Sequence, residues 1–397
     1  MRKNLIDQNI KVYFFFSILL IVTISYENLY LSTIIGTVLI FLINLYKIKN
    51  KKLYTDKTYV VFKLLVYGFS LFVLGLTILK VRDIKYIVYS INKIIPLILM
   101  VQIVDYFKNK PEKRLKTIVY CSNLLILGVW FALILYFFKI AFLQIGPTIS
   151  KYTLMQNYSV FSEYRISGLL SHKSRFGIYC ILAMAVFLNL KKRNRIANML
   201  VIASIFYASF LSDSMTTFIG LLVLFFVYLY DNFIKNNKIL LQKIFYISII
   251  FMLSLFCIFS FAKNYNKVYE GRNVQTLGSR TEIWNYSINY IKDNKSGTIK
   301  IPDDLRLNGI SYYDNAHNSI LNEYIETGII GGTLFLIICI YSIFLIEDNF
   351  MKLAYLIVLF CCQFDKVLYN ETTFIYWGIA ALFIVSNKNF NKELKDD

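Results

Sequence analysis

Charge and histidine are both scarce in this chain of 397 residues. Charged residues make up 17% of it, and only 2 histidines and 4 prolines are present. Soluble domains usually carry roughly 25% charge. A soluble fold of this length would show helical stripes or strand alternation, and here apolar runs of membrane-spanning length stand in their place. The six cysteines are Cys121, Cys180, Cys257, Cys339, Cys361 and Cys362. None has zinc-site spacing, and all fall in or beside apolar runs, where cysteine is a small core residue.

What is abundant is apolar, with 57% hydrophobic and 17% aromatic residues. A hydrocarbon core of about 30 Å takes roughly 20 helical residues to cross, and backbone groups in lipid must pair internally. The expected fold class is therefore all-α, a polytopic membrane helix bundle of about twelve spans. The runs lie at 11–26, 29–46, 59–79, 86–107, 117–138, 176–190, 196–211, 215–230, 240–262, 319–346, 351–368 and 372–385. The first is followed by Ser25-Tyr26-Glu27 rather than a small-residue cleavage site, and reads as an uncleaved span.

The net charge of +19 is spread over alternate connections. Basic groups cluster at Lys47–Lys52, Lys108–Lys116, Lys191–Arg195 and Lys235–Lys243, with Arg2, Lys3 and Lys11 before the first span and Lys388, Lys392 and Lys395 after the last. That is the positive-inside pattern of a multi-pass protein in the bacterial cytoplasmic membrane. An even number of spans puts both basic termini in the cytoplasm. A nucleic-acid partner would need the charge on one folded face, so none is expected.

This topology divides the chain into N-terminal spans (1–138), a first outward loop (139–175), central spans (176–262), a large outward loop (263–318) and C-terminal spans (319–397). Both outward loops are expected to contain short helices. Ionisable residues inside the spans are few, with Lys63, Asp213 and Asp365 the nearest cases. Repeat halves are not apparent, which weighs against a transporter.

Both histidines, His172 and His317, end an outward loop just before a span. Such histidines are often plain polar caps, but each has titratable neighbours. If 165–175 is helical, Arg165, Leu169 and His172 share a face, while Lys173 and Arg175 can snorkel at the next span. Ser279 and Glu282 have capping-box spacing, and Ile283, Trp284, Ile288 and Ile291 form an apolar stripe. An amphipathic helix follows, with Trp284 as its interfacial anchor. Arg280 falls in its first turn, where an arginine is unfavourable unless an anion binds there. The stretch 312–332 brings His317 and Asn318 before a span whose first turns hold Glu323 and Glu326; these need water or a cation, and suggest a wet cavity. Gly328 and Gly332 have the spacing of a close helix approach.

These clusters, in this order, resemble the O-antigen polymerase and O-antigen ligase superfamily. The similarity rests on Arg165-x-x-Gly168 and on Phe210–Thr217 at a tight outward turn. It continues through Gly278–Trp284 and His317-Asn318 to Glu326-Thr327-Gly328-Ile329-Ile330-Gly331. It covers the C-terminal two-thirds. Family members often carry Ser-Arg where this chain has Ser214-Met215, and Pro-Asn where it has His172-Lys173.

The resemblance implies a membrane glycosyltransferase that uses no nucleotide sugar. It would move glycan from an undecaprenyl-diphosphate-linked oligosaccharide to another lipid-linked glycan, in capsule or exopolysaccharide synthesis. Arg165 and Arg280 would stabilise the diphosphate, and His317 would accept the hydroxyl proton. His172, Arg175, Trp284, Asn318, Glu323 and Glu326 would bind substrate. No cofactor or metal is expected, since no Asp-x-Asp triad is present and Asp303-Asp304 reads as a solvated pair. A chain-length regulator and a flippase are the expected protein partners. A ligase with a different acceptor stays open, as does a flippase of lipid-linked oligosaccharide.

Overall fold

The computed structural model describes residues 38, 57–81, 83–108, 114–145, 150–153, 155–157, 164–170, 172–190, 195–231, 280–299, 316–364 and 372–386. It contains α1 (Lys57–Lys80), α2 (Ile84–Lys108), α3 (Arg114–Phe137), strands β1 (Phe142–Ile145), β2 (Ser150–Thr153), β3 (Met155–Asn157) and β4 (Tyr164–Ile166), and a 3-10 turn at Gly168–Leu170. There follow α4 (Lys173–Asn189), α5 (Arg195–Leu211), α6 (Met215–Leu229), α7 (Arg280–Asp293), α8 (Ser319–Leu345), α9 (Asn349–Cys361) and α10 (Thr372–Val385).

Four helices among the described residues are long and apolar enough to cross a membrane: α1, α2, α8 and the Lys116–Phe137 part of α3. Shorter apolar helices cover Ala197–Leu211, Met215–Leu229, Asn349–Cys361 and Ile375–Val385. The expected spans at 11–26, 29–46 and 240–262 lie outside the described residues, save Val38. The span expected at 351–368 stops early, because α9 ends at Cys361 and the chain turns through 362–364.

The core is built around α4. Every residue from Phe176 to Leu190 is buried, and the helix packs against α3, α5, α6, α9 and α10. A helix apolar on all sides belongs inside a bundle, and this one is enclosed by protein. Helix α2 packs on α1 and α10, and α1 packs on α8. Several polar groups in these seams pair across them: Thr77 Oγ1 meets Ser90 Oγ at 2.7 Å, Tyr59 donates to Val101 O at 2.7 Å, and Lys63 meets Asp105 at 3.3 Å. Lys63 therefore has a structural partner on the next helix.

The connections sort to two ends of the bundle. At one end Lys80 donates to Ser296, Arg165 pairs with Asp213, the Ser319 amide donates to Cys362 O and Arg280 donates to Phe364 O. At the other, Arg114 donates to Val385 O, which ends α10, and Tyr341 donates to Thr58 O at the start of α1.

The first long loop departs from expectation. Among the described residues it holds two antiparallel hairpins, β1 with β2 (Phe142 opposite Thr153) and β3 with β4 (Met155 opposite Ile166), beside the one short helix at Gly168–Leu170, where short helices alone were expected. The segment is rich in aromatic and β-branched residues, which favour extended backbone. Arg165, Leu169 and His172 consequently share no helical face. Arg165 lies in β4, the chain turns at Gly168 (φ +54), and His172 caps α4.

Helix α8 carries a second departure. Gly328 has φ 72 and ψ −173, so the helix breaks into two limbs there. That region of backbone is open essentially to glycine alone. The segment 295–299 fills the break: Thr298 N donates to Ile325 O at 3.0 Å, Ile299 N to Glu326 O at 2.7 Å, and Ile329 N to Lys295 O at 2.9 Å. Backbone groups orphaned by the break thus regain partners. Gly297 (φ +74) faces Gly328, and a Cβ on either would collide with the backbone of the other segment. The close approach expected from Gly328 and Gly332 is, at Gly328, an approach of loop to helix.

Candidate functional site at the 361–364 turn

Chain-distant segments meet on the turn that follows α9. Arg280 opens α7 and donates from Nε to Phe364 O at 3.0 Å. Trp284, one turn later, packs with its ring tilted 57° and 5.9 Å from the Phe364 ring and donates from Nε1 to Ala316 O at 3.0 Å. Ile283 on the same face is buried with Ala316 and Ile325. The apolar side of α7 therefore seats on α8, while Ile288 is 41% exposed and lies off that face. Trp284, expected to anchor the helix in the bilayer interface, anchors it to the chain itself through its contacts with Phe364 and Ala316. Glu282 lies in the first turn of α7, and the expected capping residue Ser279 is outside the described residues.

His317 follows Ala316 directly and has φ 45, a left-handed conformation uncommon outside glycine. Asn318 then caps α8, its Oδ1 accepting from the Ile320 and Leu321 amides at 2.9 and 3.0 Å. Asn322 Oδ1 accepts from Ala316 N at 2.9 Å, and Ser319 N reaches Cys362 O at 2.9 Å. The imidazole is thus carried on a turn fastened at both ends, between the carbonyl that holds Trp284 and the cap of α8.

Arg165 approaches from β4. Its Nε lies 2.9 Å from Asp213 Oδ2 in the Ser212–Ser214 turn between α5 and α6, where Asp213 has φ 56. Lys173 reaches the Asp213 carbonyl at 3.4 Å, and His172 Nδ1 accepts from Ser174 N at 3.3 Å. His172 therefore performs the plain capping role, and Arg175 lies in the turn that it opens. The Asp213 turn adjoins the same hub, because Cys361 Sγ sits 3.7 Å from Thr216 O. The turn thus links the Arg280, Trp284 and His317 group to the Asp213 turn that holds Arg165.

Glu323 and Glu326 differ from expectation. Both are buried, at 0% and 1% exposure, and the cation that they meet is Lys93 of α2, at 2.5 and 3.0 Å. Tyr89 donates to Glu326 Oε1 at 3.2 Å. The expected wet cavity reduces to a space of about 10 Å³ bounded by Thr77, Tyr89, Ser90, Lys93 and Glu326, room for about one water. Lys93 was missed in the sequence, although a lone cation within an apolar span is a signal in itself. The Phe364 carbonyl was missed as well, since no side-chain pattern announces a backbone acceptor. Among the described residues no group of three or more His, Cys, Asp or Glu could hold a metal ion.

Guanidinium groups, an imidazole and an indole thus gather at one end of an apolar bundle. Residues 199–336 match the O-antigen ligase family model. This match supports the O-antigen ligase and polymerase superfamily and, with the apolar helices, a multi-pass membrane protein. The matched stretch includes Asp213, Arg280, Trp284, His317, Asn318, Glu323 and Glu326; Lys93, Arg165, His172 and Arg175 lie outside it. No curated protein matches the chain.

Proposed function

We propose that this chain is a polysaccharide repeat-unit polymerase of the O-antigen ligase and polymerase type. It transfers glycan from an undecaprenyl-diphosphate-linked donor to a second lipid-linked glycan, on the outer face of the cytoplasmic membrane. The observation that carries the reading is the gathering of Arg280, Trp284 and His317 around the 361–364 turn, where Arg280 and Trp284 meet Phe364.

In the reaction, the acceptor hydroxyl oxygen bonds to the anomeric carbon as the bond from that carbon to the diphosphate oxygen breaks. The electron pair leaves with undecaprenyl diphosphate, and the hydroxyl proton passes to the His317 imidazole. Negative charge grows on the leaving diphosphate, and Arg280 and Arg165 stabilise it with planar, permanently charged donors. Imidazole suits the acceptor role because it gains and loses protons near neutral pH. Trp284 offers a flat apolar face to a sugar ring. His172, Arg175 and Asn318 would add polar groups for the glycan, beyond the helix-capping roles of His172 and Asn318. A flippase would deliver the donor, and a chain-length regulator would set the length of the product.

The test is polymer length on a gel after deletion of the gene and complementation. Arg280→Ala should abolish polymer while the protein still inserts in the membrane, and normal long polymer from that variant would refute the anion site. The family description favours a second reading, a ligase with a different acceptor. Purified protein given only lipid-linked repeat units separates the two, since a polymerase lengthens them and a ligase does not. The buried Lys93 cluster is the observation on the transporter side. Polymer formed by protein in detergent, with no membrane to cross, decides for the enzyme.

A further inference from the structure

A charge imbalance is enclosed between α2 and the broken helix α8. Two carboxylates, Glu323 and Glu326, share one ammonium, Lys93. All three side chains are at most 9% exposed. With every group ionised the cluster would keep one uncompensated negative charge away from water.

The partners of the two carboxylates differ. Glu326 has a donor at each oxygen, Tyr89 Oη at Oε1 (3.2 Å) and Lys93 Nζ at Oε2 (3.0 Å). Glu323 meets Lys93 through Oε1 alone, and its Oε2 is fully enclosed with no hydrogen-bond partner among the described residues. Burying an unpaired carboxylate costs far more than protonating it at neutral pH. Beside the cluster lies the space of about 10 Å³ walled by Thr77, Tyr89, Ser90 and Ile299. Ile299 belongs to the segment that fills the α8 break, so the space adjoins the chain coming from the loop end.

We propose that Glu323 is a proton-binding site: it holds one exchangeable proton, leaving Glu326 as the carboxylate that Lys93 neutralises. The titratable and charged groups facing the site among the described residues are Lys93 and Tyr89 from α2 and Glu326 and Cys339 from α8. From helix α1 and the 295–299 segment, Thr77 and Ile299, which carry no charge, line the space beside Lys93 and Glu326. The proton adds to the stability of the folded chain at low pH, and that stability is lost as rising pH removes it. None of this rests on the glycosyl-transfer reading.

The experiment is infrared difference spectroscopy on the full chain in nanodiscs, with thermal unfolding across pH. The wild type should show the carbonyl stretch of a protonated carboxylic acid, shifted in deuterium oxide. Glu323→Gln, which mimics the protonated form, should lose that band, keep the wild-type Tm and flatten its fall with pH. Glu326→Gln leaves Glu323 as the one carboxylate beside Lys93, so residue 323 should ionise and the band should be lost there too, but with a fall in Tm that Glu323→Gln does not show. Absence of the band in wild type, or its survival in Glu323→Gln, overturns the proposal. So does a rise in Tm with sodium ions, relative to choline, in a protein lacking the band, which would make this a cation site.

Discussion

Replacement of Gly328 by alanine tests whether the break in α8 is held by the segment that fills it. A Cβ at this position would run into the Lys295 carbonyl oxygen and lie 2.6 Å from Ser296 C and 2.7 Å from Gly297 N. The backbone there has φ 72 and ψ −173, which costs a residue with a side chain about 1–3 kcal/mol. Three backbone hydrogen bonds cross the break, from Thr298, Ile299 and Ile329. Each contributes about 1 kcal/mol net. Relief of the collision requires the 295–299 segment to withdraw and those bonds to be lost, so the local penalty is about 4–6 kcal/mol. Since every 1.4 kcal/mol is tenfold, protection against amide exchange should fall by roughly a thousandfold or more at Thr298, Ile299 and Ile329. The assay is hydrogen exchange read by mass spectrometry on the protein in nanodiscs. Peptides from α4 should be unchanged, because that helix packs elsewhere. Unchanged exchange at 298, 299 and 329, or an equal loss along the whole chain, would refute the reasoning.

Asp213→Asn keeps a residue that tolerates the left-handed backbone while removing the charge opposite Arg165. It should lower stability by about 2 kcal/mol, the scale of a charge-assisted bond, and thermal unfolding alone and in combination with Arg165→Gln checks the coupling. Lys93→Met removes the ammonium shared by Glu323 and Glu326. It should cost about 3–5 kcal/mol, seen as a fall in Tm, and the double variant Lys93→Met/Glu326→Gln should recover most of that loss.

Much of the bundle was legible because its physics is one-dimensional. Runs of apolar residues separated by basic clusters foretell helices such as Ile84–Lys108 and Ser319–Leu345, and Ser212–Ser214 does form a tight turn. The caps at His172 and Asn318 follow from polar residues placed before apolar runs. What escaped depends on partners distant in sequence. Lys93 gains its meaning from carboxylates on α8, and an average over the span hides one cation among isoleucines. The break at Gly328 resembles a packing motif until Gly297 is seen against it. The hairpins of the first loop are strands of three or four residues, too short for alternation to register. Arg280, Trp284 and His317 were named from the sequence, but the Phe364 and Ala316 carbonyls that hold two of them to the fold were not.

The turn at 361–364 offers its neighbours peptide oxygens, from Cys362 to Ser319 and from Phe364 to Arg280. Every amino acid supplies that oxygen. Side chains along this stretch can consequently be exchanged while these two mooring points stay where they are, so that what the turn presents and how it is held become separable variables.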